Sequence, residues 1–479
     1  MTASRDTFYI GGEWVAPATD RRFTLINAST EEVIATVPEG TEADIDAAVA
    51  AARKAFLAPG WADARPADRA AVMERFIAAI AKRGDAIGQA VSAQNGMPIA
   101  VSAMLEGQFS VGVVQYYAEL AKTLGQPDVR LSQMGKETLV ERDPIGVIAA
   151  IVPWNFPVTL ALNKIAPAMA AGCTVVIKPS PGTVLDSYLL AEAAEEAGVP
   201  PGVLNWVAAD RAAGAYLVSH PGVDKVAFTG STAAGRVIGR TCGELLRPVS
   251  LELGGKSAAI LLEDVDIGTF LQGVPTASML NSGQTCYSST RILAPQSRYA
   301  EVVDALAGFV KSLTVGDALD PATHVGPMAS AAHRDRVESY IAIGKQEGRL
   351  VAGGGRPQDT NRGWFVEPTV FADVDNSARI AREEIFGPVL AVIPYDGEAD
   401  ALRIANDSEF GLGGTVWSAD TAHATDVARK VQSGTVGVNG YMPSLGAPFG
   451  GIKASGLGRE FGPEAISAYQ NTKSIYIMA

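Results

Sequence analysis

The chain has 479 residues, of which 47% are hydrophobic and 19% charged. This length exceeds what one hydrophobic core accommodates, so we expect two or three closely packed domains. A formal net charge of −13 argues against binding to nucleic acid or to an anionic membrane, because both need basic patches. The first residues contain no basic segment followed by an apolar one, so no signal peptide is predicted.

The three cysteines, Cys173, Cys242 and Cys286, are far apart in the sequence and match neither a disulfide framework nor a metal-binding spacing. We therefore expect a cytoplasmic protein without a metal site. The four histidines are also scattered, and none is next to Cys286 in sequence, which disfavours a local cysteine–histidine dyad.

Alternating helices and strands are predicted along the first half of the chain. Two amphipathic, alanine-rich helices, Ile45–Phe56 and Arg69–Arg83, come first. β-Branched segments then predict buried strands at Ile145–Val152, Thr174–Lys178, Val203–Val207, Lys225–Phe228 and Val249–Leu253. Helices are predicted between strands at Thr183–Ala197 and Thr232–Thr241. Such alternation favours an open, doubly wound parallel sheet with its ligand site at the carboxyl ends of the strands.

Three short polar segments follow the ends of these strands, so they should converge on one crevice. They are Trp154-Asn155, Lys178 and Gly230-Ser231. The turn Gly230–Gly235 would let backbone N–H groups at a helix N-terminus approach a pyrophosphate. Because the full dinucleotide fingerprint is absent, a plain tight turn is an equally good interpretation of this segment.

A second set of α/β elements begins after Gly255, which indicates a second α/β domain. Strands are predicted at Ser257–Leu262, Thr290–Leu293, Val389–Ile393 and Gly434–Val438. One helix should precede Cys286 and another should cover Tyr299–Leu313. The tail Lys473–Met478 alternates like a strand.

Three residues carry groups that could take part in catalysis. Cys286 lies in a segment of small and polar residues, a poor setting for a core residue, and could act as a thiolate nucleophile. Glu252 ends a strand before two glycines, where it is either a general base or an exposed acid before a turn. Asn155 stands between Pro153 and Pro157, where its amide could donate to an oxyanion or simply belong to a rigid loop.

The ordered motifs YIGGEWV, PWNFP, KPS, FTGST, LELGGK, GQTC, EEIFGP and PFGG-K-SG-GRE together resemble the aldehyde dehydrogenase superfamily over essentially the whole chain. The resemblance implies a non-phosphorylating, NAD(P)-dependent, hydrolytic enzyme. It implies two doubly wound Rossmann-like α/β domains plus a small β oligomerisation element. The NAD(P)-binding domain would comprise residues 1–121 and 145–254, the catalytic domain 255–455, and a bridging segment 122–144 and 456–479.

The resemblance also assigns catalytic roles residue by residue. Cys286 would add to the aldehyde carbon, and the side chain of Asn155 with the backbone N–H of Cys286 would bind the oxyanion. Glu252 would activate water to release the acid from the thioester. Lys164 and Glu460 would relay protons from Glu252 to solvent.

By the same resemblance, the cofactor would contact residues at the strand ends and in the EEIFGP segment. The predicted contacts are Val152, Pro153, Trp154, Lys178, Ser180, Pro181, Gly230, Ser231, Gly235, Leu253, Gly254, Glu384 and Phe386. Lys178 would bind the adenosine ribose, and Glu384 the nicotinamide ribose. Pro181 stands where NAD-preferring relatives often carry a glutamate, so we expect NAD to be used and NADP to be tolerated.

A substrate tunnel is also implied by the resemblance. Its walls would be Phe156, Thr159, Leu160, Asn163, Tyr287, Met442 and Phe449. None of these is Arg or Lys, which disfavours an aldehyde carrying a carboxylate and favours a neutral aliphatic or aromatic one. Asn163 stands where many relatives place a large aromatic residue, so the tunnel should be wider or wetter there.

Other functions are compatible with parts of this pattern. A CoA-acylating enzyme would pass the thioester to CoA, but Glu252 favours hydrolysis. A non-catalytic binding or structural protein on the same fold should lack the nucleophile or the base, and both are present. A cysteine hydrolase would leave Lys178 unexplained. The family resemblance, rather than the residue pattern, implies a homodimer or homotetramer, with Leu124–Glu141 and Lys473–Met478 bridging subunits.

Overall fold

The computed structural model of the protein describes residues 4–131, 133, 135–358 and 360–478. The ends of the predicted domains at 1–3 and 479, and positions 132 and 134 of the predicted bridging segment, lie outside these residues. Within the described ranges, no helix is both long enough and apolar enough to cross a membrane.

The first sheet has eight strands, and its five central strands are parallel. Their order across the sheet is Val249–Glu252, Lys225–Thr229, Val147–Ile151, Thr174–Lys178 and Leu204–Trp206. The predicted parallel sheet is therefore confirmed. Both edges are antiparallel and were not predicted, because Gly456–Leu457 on one side and Phe8–Ile10 with Glu13–Val15 on the other are too short to show a period of two.

Helices connect the strands of this sheet and precede them in the chain. They are Glu42–Leu57, Pro66–Ala81, Gly84–Asn95, Ile99–Ser102, Ser110–Ala121, Pro157–Ala171, Leu185–Glu196, Arg211–Ser219 and Thr232–Glu244. A π-helical segment, Ala103–Phe109, joins two of them. The two predicted N-terminal helices are present but start about three residues earlier, since Thr41 and Asp44 form a capping box and Pro66 takes the first helical position.

The second sheet has seven strands and belongs to the second half of the chain. Their order is Arg349–Ala352, Thr369–Ala372, Val389–Tyr395, Arg291–Pro295, Ala258–Leu261, Thr415–Trp417 and Gly437–Val438. All neighbours are parallel except the first pair. Helices of this half are Ile267–Ala277, Tyr299–Ser312, Ala331–Glu347, Arg379–Arg382, Glu398–Asn406, Thr421–Ala428 and Glu464–Ser467. Short 3₁₀ turns lie at Leu280–Gly283, Gln296–Arg298 and Lys453–Ser455.

A small antiparallel sheet stands apart from the two large ones. The C-terminal strand Gln470–Ile477 pairs along its whole length with Glu137–Pro144, which also pairs with Asp128–Leu131. Nearly all side chains of the C-terminal strand are exposed. A separate hairpin joins Arg22–Ile26 to Val33–Pro38.

The helix Pro157–Ala171, which we call the tunnel helix, positions several predicted site residues. It begins with proline at its first position and ends at Gly172, whose φ of +94° forms a left-handed C-cap. All but one of its residues are buried, so Asn163 and Lys164 are held inside the protein. It packs against the strands Val147–Ile151 and Thr174–Lys178 of the first sheet.

Candidate active site

Two cavities meet at Cys286. One, with an empty volume of about 610 Å³, is apolar, and we call it the substrate tunnel. The other, about 1450 Å³, is more polar and opens at the carboxyl ends of the first sheet; we call it the cofactor crevice. Cys286 lines both, so a thiol at this position can reach a molecule in the tunnel while facing a second one in the crevice.

The turn that presents Cys286 is strained and held by side chains. Asn281 and Ser282 have φ values of +51° and +57°, in the left-handed region that non-glycine residues rarely adopt. Asn281 Nδ2 donates to the backbone oxygen of Asn155 at 3.0 Å, and Ser282 Oγ donates to the backbone oxygen of Gly326 at 3.1 Å. These bonds fix the turn, and with it the position of the thiol.

Asn155 lies beside the nucleophile, at the N-terminal end of the tunnel helix. Its Nδ2 donates to the backbone oxygen of Gln284 at 3.1 Å, two residues before Cys286. Asn95 Nδ2 in turn donates to the backbone oxygen of Trp154 at 2.9 Å. This bond holds the loop that carries Asn155 in place. An amide nitrogen carries two hydrogens, so Asn155 retains one N–H for an oxyanion near the thiol.

Glu252 is buried, so the alternative interpretation of an exposed acid before a turn is wrong. Neither of its carboxylate oxygens has a hydrogen-bond partner among the described residues. Burial and the nearby charge of Glu460 raise its pKa well above the ordinary value, while Lys164 and Arg459 act in the opposite direction. The space beside it exists because residue 450 is glycine, since a Cβ there would lie 2.6 Å from Glu252 Oε1.

A buried ion pair lies behind this acid. Lys164 Nζ is 2.7 Å from Glu460 Oε1 and donates to Thr229 Oγ1 at 2.6 Å. The other oxygen of Glu460 accepts from Asn163 Nδ2 at 3.2 Å. Asn163 therefore faces the tunnel but is bonded to the ion pair, which the sequence did not indicate.

The thiol of Cys286 has a raised pKa. Burial is the main cause, and the charges of Glu384 and Glu252 add to it. The backbone N–H groups of Cys286 and Tyr287 lower the pKa, but the raising effects outweigh them. The protein alone therefore holds this cysteine as a thiol, and a positive charge near it would be needed to favour the thiolate.

The crevice floor is a helix N-terminus after a strand of the first sheet. Ser231 is the N-cap of Thr232–Glu244, and its Oγ accepts from the backbone N–H of Ala234 at 3.3 Å. Ser231, Thr232 and Ala233 of this first turn line the crevice, and the free N–H groups of a helix N-terminus are suited to bind a pyrophosphate. Gly254 lies opposite, where an added Cβ would be 2.5 Å from Glu384 Oε2. The cradle is thus shaped for close approach of a dinucleotide.

Aromatic rings form one wall of the crevice. Trp154 and Phe386 meet edge to face with centroids 5.4 Å apart, and the His333 ring lies 5.1 Å from that of Trp154. Nearby, Glu384 Oε1 accepts from the backbone N–H of Gly255 at 2.9 Å. Burial raises the pKa of Glu384 to about 7.

Comparison with known proteins decides the family. A family model described as the aldehyde dehydrogenase family matches residues 14–475. The chain belongs to the aldehyde dehydrogenase family. It is therefore an aldehyde-oxidising oxidoreductase.

Individual relatives match this aldehyde dehydrogenase over 96–100% of their own length. Geranial dehydrogenase of Castellaniella defragrans is 60% identical over 478 residues, which is 100% of both chains. A Mycobacterium tuberculosis aldehyde dehydrogenase solved with NAD+ is 45% identical, with a TM-score of 0.96 over 99% of this chain and 98% of that one. A mutant of aldehyde dehydrogenase C from Pseudomonas syringae, solved with NAD+ and octanal, is 39% identical, with a TM-score of 0.92 over 98% and 96%.

The structure divides the predicted tunnel and cofactor residues into three groups: those that line the tunnel, those that line the crevice, and those that do not line the crevice. All seven predicted tunnel residues line the tunnel together with Cys286. Among the predicted cofactor contacts, those lining the crevice are Pro153, Trp154, Gly230, Ser231, Leu253, Gly254, Glu384 and Phe386. The remaining five, which do not line it, are Val152, Lys178, Ser180, Pro181 and Gly235.

Two of these five residues contact other parts of the protein instead: Lys178 through hydrogen bonds and Gly235 through packing. Lys178 Nζ donates to the backbone oxygens of Ala209 at 2.7 Å and of Pro179 at 3.0 Å, and burial lowers its pKa to about 8. Gly235 packs against Leu253, whose side chain would be 2.5 Å from an added Cβ.

Sequence reasoning missed several lining residues of this aldehyde dehydrogenase. The tunnel is also lined by Leu105, Phe109, Thr285, Pro443 and Phe461, and the crevice by His333, Arg336 and Tyr340 among others. Leu105 and Phe109 lie in the π-helical segment Ala103–Phe109, which no local sequence motif predicts. Phe461 was discoverable, because it directly follows the predicted Glu460.

Proposed function

We propose that this aldehyde dehydrogenase oxidises a neutral, largely apolar aldehyde to the carboxylic acid, with NAD as the hydride acceptor. The observation that carries the proposal is the position of Cys286 at the only wall shared by the apolar tunnel and the polar crevice, among the described cavities. An aldehyde in the tunnel and a dinucleotide in the crevice would meet at this thiol.

In the proposed reaction, the Cys286 thiol first loses its proton to solvent in the crevice, and the thiolate Sγ then bonds to the aldehyde carbon as the carbonyl π electrons move to the oxygen. Asn155 Nδ2 and the Cys286 backbone N–H donate to the resulting oxyanion. The bound nicotinamide supplies the acceptor for the hydride and a positive charge that favours the thiolate. A thioester then remains on Cys286. Glu252 takes a proton from water as the water oxygen bonds to the acyl carbon, and the thiolate leaves with release of the acid.

Glu252 suits the role of base because both its oxygens lack partners and its pKa is raised. A carboxylate of raised pKa is a stronger base than an exposed one, which assists proton abstraction near neutral pH. The proposed relay from Glu252 to Glu460 and Lys164 is supported by the charge interactions of Glu252 with both residues and by the Lys164–Glu460 ion pair, whose atoms are 2.7 Å apart.

The substrate class follows from the tunnel walls. None of the described residues that line it is charged, and aromatic or aliphatic side chains dominate. The hydroxyl of Thr159 is already bonded to the backbone oxygen of Leu105 at 2.8 Å, and the amide of Asn163 to Glu460. The names of two relatives, a geranial dehydrogenase and an octanal-bound enzyme, fit the same class, and we propose an acyclic, medium-chain aldehyde such as geranial.

For the cofactor, we propose a preference for NAD with NADP tolerated. Two related structures contain NAD+. Pro181 brings no carboxylate to the ribose that would repel a 2′-phosphate, so discrimination against NADP should be weak.

The proposed function is tested with a panel of aldehydes, including geranial, octanal and a carboxylated semialdehyde, assayed with NAD and with NADP. Cys286→Ser should abolish NADH formation, while Cys242→Ala, a change at a buried cysteine outside both cavities, should retain it. Failure of the wild type to reduce NAD or NADP with any aldehyde would contradict the proposal. So would formation of acyl-CoA in place of free acid when CoA is supplied.

We also propose the domain division and assembly expected from sequence. The first sheet would form the NAD(P)-binding domain (1–121 and 145–254), and the second the catalytic domain (255–455).

The exposed strand Gln470–Ile477 and the exposed Leu131 of the small sheet favour a homodimer or homotetramer. A mass in solution equal to one chain would contradict this. The cytoplasmic location stays a prediction.

A further inference from the structure

Asn163 lines the tunnel, but its side-chain amide is turned towards the proposed proton-transfer groups. It is 2% exposed and lies one residue before Lys164 on the tunnel helix. Its Nδ2 donates to Glu460 Oε2 at 3.2 Å, while Lys164 Nζ contacts Glu460 Oε1 at 2.7 Å. Two consecutive residues thus hold the two oxygens of one buried carboxylate.

The chemistry of the groups fixes the orientation of the amide. If the Asn163 side chain were flipped, its Oδ1 would face the carboxylate oxygen of Glu460, and two acceptors would oppose each other in a buried site. In the observed orientation Oδ1 points elsewhere and has no hydrogen-bond partner among the described residues. The contact with Glu460 is therefore the one hydrogen bond that the side chain of Asn163 makes there.

Glu460 is tied to both the tunnel and the base. Its backbone exchanges two hydrogen bonds of 2.7 Å with that of Phe449, a tunnel residue. Gly450, which follows Phe449 in the chain, lies close to Glu252 Oε1. The charge of the Glu460 carboxylate also acts on Glu252, so a change in the position of that carboxylate changes the electrostatic environment of the base.

We propose that Asn163 positions the Glu460 carboxylate for the proton transfer that follows thioester hydrolysis. The inference rests on the proposed function, in which Glu252 collects a proton from water. When the water oxygen bonds to the acyl carbon and the carbon–sulfur bond breaks, Cys286 leaves as the thiolate and the water proton goes to Glu252. Because neither Glu252 oxygen is within hydrogen-bond distance of Glu460, that proton then passes through water to the oxygen of Glu460 that Asn163 orients, which restores Glu252 as a base.

The charged and titratable groups around Glu252 support a measurable consequence. They are Glu460, Lys164, Arg459, Cys286 and Tyr441. Of these, Glu460 raises the pKa of Glu252, and Lys164 and Arg459 lower it. Losing the Asn163 bond should loosen the Glu460–Lys164 pair, and the pKa of Glu252 should rise as a result.

The test is a single-turnover experiment with Asn163→Leu, which keeps the approximate volume and removes the donor. Enzyme in excess with saturating NAD is mixed with octanal, NADH is followed by absorbance, and free acid is followed after quenching. We expect the ratio of the acid-forming rate to the NADH-forming rate to fall by roughly tenfold, the scale of one charge-assisted hydrogen bond, because NADH formation precedes the step in which Asn163 acts. The acid limb of the pH profile for acid formation should move to higher pH.

Asn163→His tests the hydrogen bond itself, because its ring can place an N–H near the position of the amide. It should restore most of the acid-forming rate and the wild-type acid limb. If Asn163→Leu forms acid together with NADH, with an unchanged acid limb and only an altered KM for octanal, Asn163 is simply a tunnel wall and the proposal is wrong. It is also wrong if His behaves like Leu. Absence of NADH formation in the wild type would instead overturn the proposed function.

Discussion

His333 Nε2 lies 2.7 Å from the backbone oxygen of Phe386, a residue with a φ of +65°. Burial lowers the pKa of His333 to about 4, so the ring is neutral at physiological pH and Nε2 must carry the proton that it donates. A phenylalanine in the left-handed region costs roughly 1–2 kcal/mol. The bond offsets part of that cost and holds the Phe386 ring against Trp154 at the crevice wall.

His333→Leu should therefore weaken cofactor binding. We expect KM for NAD to rise by roughly five- to tenfold, corresponding to the loss of one hydrogen bond of about 1 kcal/mol plus reorientation of the ring. His333→Gln, which keeps a donor, should lose less. Steady-state kinetics at varied NAD check this, with KM for the aldehyde as the internal control. Equal effects of Leu and Gln would contradict the role of the hydrogen bond.

Gly255→Ala should disable the enzyme without unfolding it. A Cβ at residue 255 would overlap the backbone oxygen of Cys286, and a backbone atom cannot move aside as a flexible side chain can. Displacing the nucleophile by about 1 Å should lower kcat/KM by roughly 100-fold. Gly243→Ala is the matched control, because an added Cβ there meets nothing within 4 Å. Comparable kcat/KM for both variants would show that the Cys286 backbone tolerates the overlap.

Glu252→Gln should block release of the acid. A general base contributes about 10²–10⁴-fold, so kcat should fall by at least 100-fold while one equivalent of NADH per site still forms. Because the pKa of Glu252 is raised, the wild-type kcat should decline on the acid side well above pH 4.5, as protonation removes the base. A pH–rate profile measures this limb. A flat profile from pH 5 to 8 would rule out Glu252 as the limiting base.

Two buried carboxyls behind the tunnel helix should make stability depend on pH. Glu106 Oε2 accepts from the backbone N–H of Val158 at 2.7 Å, at the start of that helix, and Asp186 lies near enough for the two charges to interact. Burial raises the pKa of each to about 7, above the ordinary values of 4.5 and 3.8. Both folded pKa values are raised, so stability is full at low pH and is lost as pH rises through 7.

Glu106→Gln should accordingly raise Tm relative to wild type at pH 8, by roughly 2 °C, and change it little at pH 5. The amide oxygen of the substituted side chain can still accept the hydrogen bond from the Val158 N–H. The substitution removes one buried negative charge. Asp186→Asn is the matched variant and should act in the same direction. Differential scanning fluorimetry at both pH values checks the prediction, and a loss of Tm at pH 8 for both variants would show that the ionised pair is stabilising.

The five central strands of the first sheet were readable from sequence because their residues encode them locally, whereas several helices, including the tunnel helix Pro157–Ala171, were not predicted. The buried strand Thr174–Lys178 was located to the residue, and the helix after Ser231 was found from its small-residue turn. The edge strands were missed, since Gly456–Leu457 exists only by pairing with Leu251 and Glu252, more than 200 positions away. The scattered histidines gave no hint that His333 would lie in the crevice with Cys286.

The sequence by itself determined the reaction chemistry of this aldehyde dehydrogenase, because a thiol, an amide and an acid in ordered motifs specify which groups are available. Only the tertiary structure decided their state. Burial of Glu252 without hydrogen-bond partners, the raised pKa of the Cys286 thiol and the turning of Asn163 towards Glu460 all depend on what surrounds each group. Solvation and distance set those properties, and neither is encoded in the order of residues along a local segment.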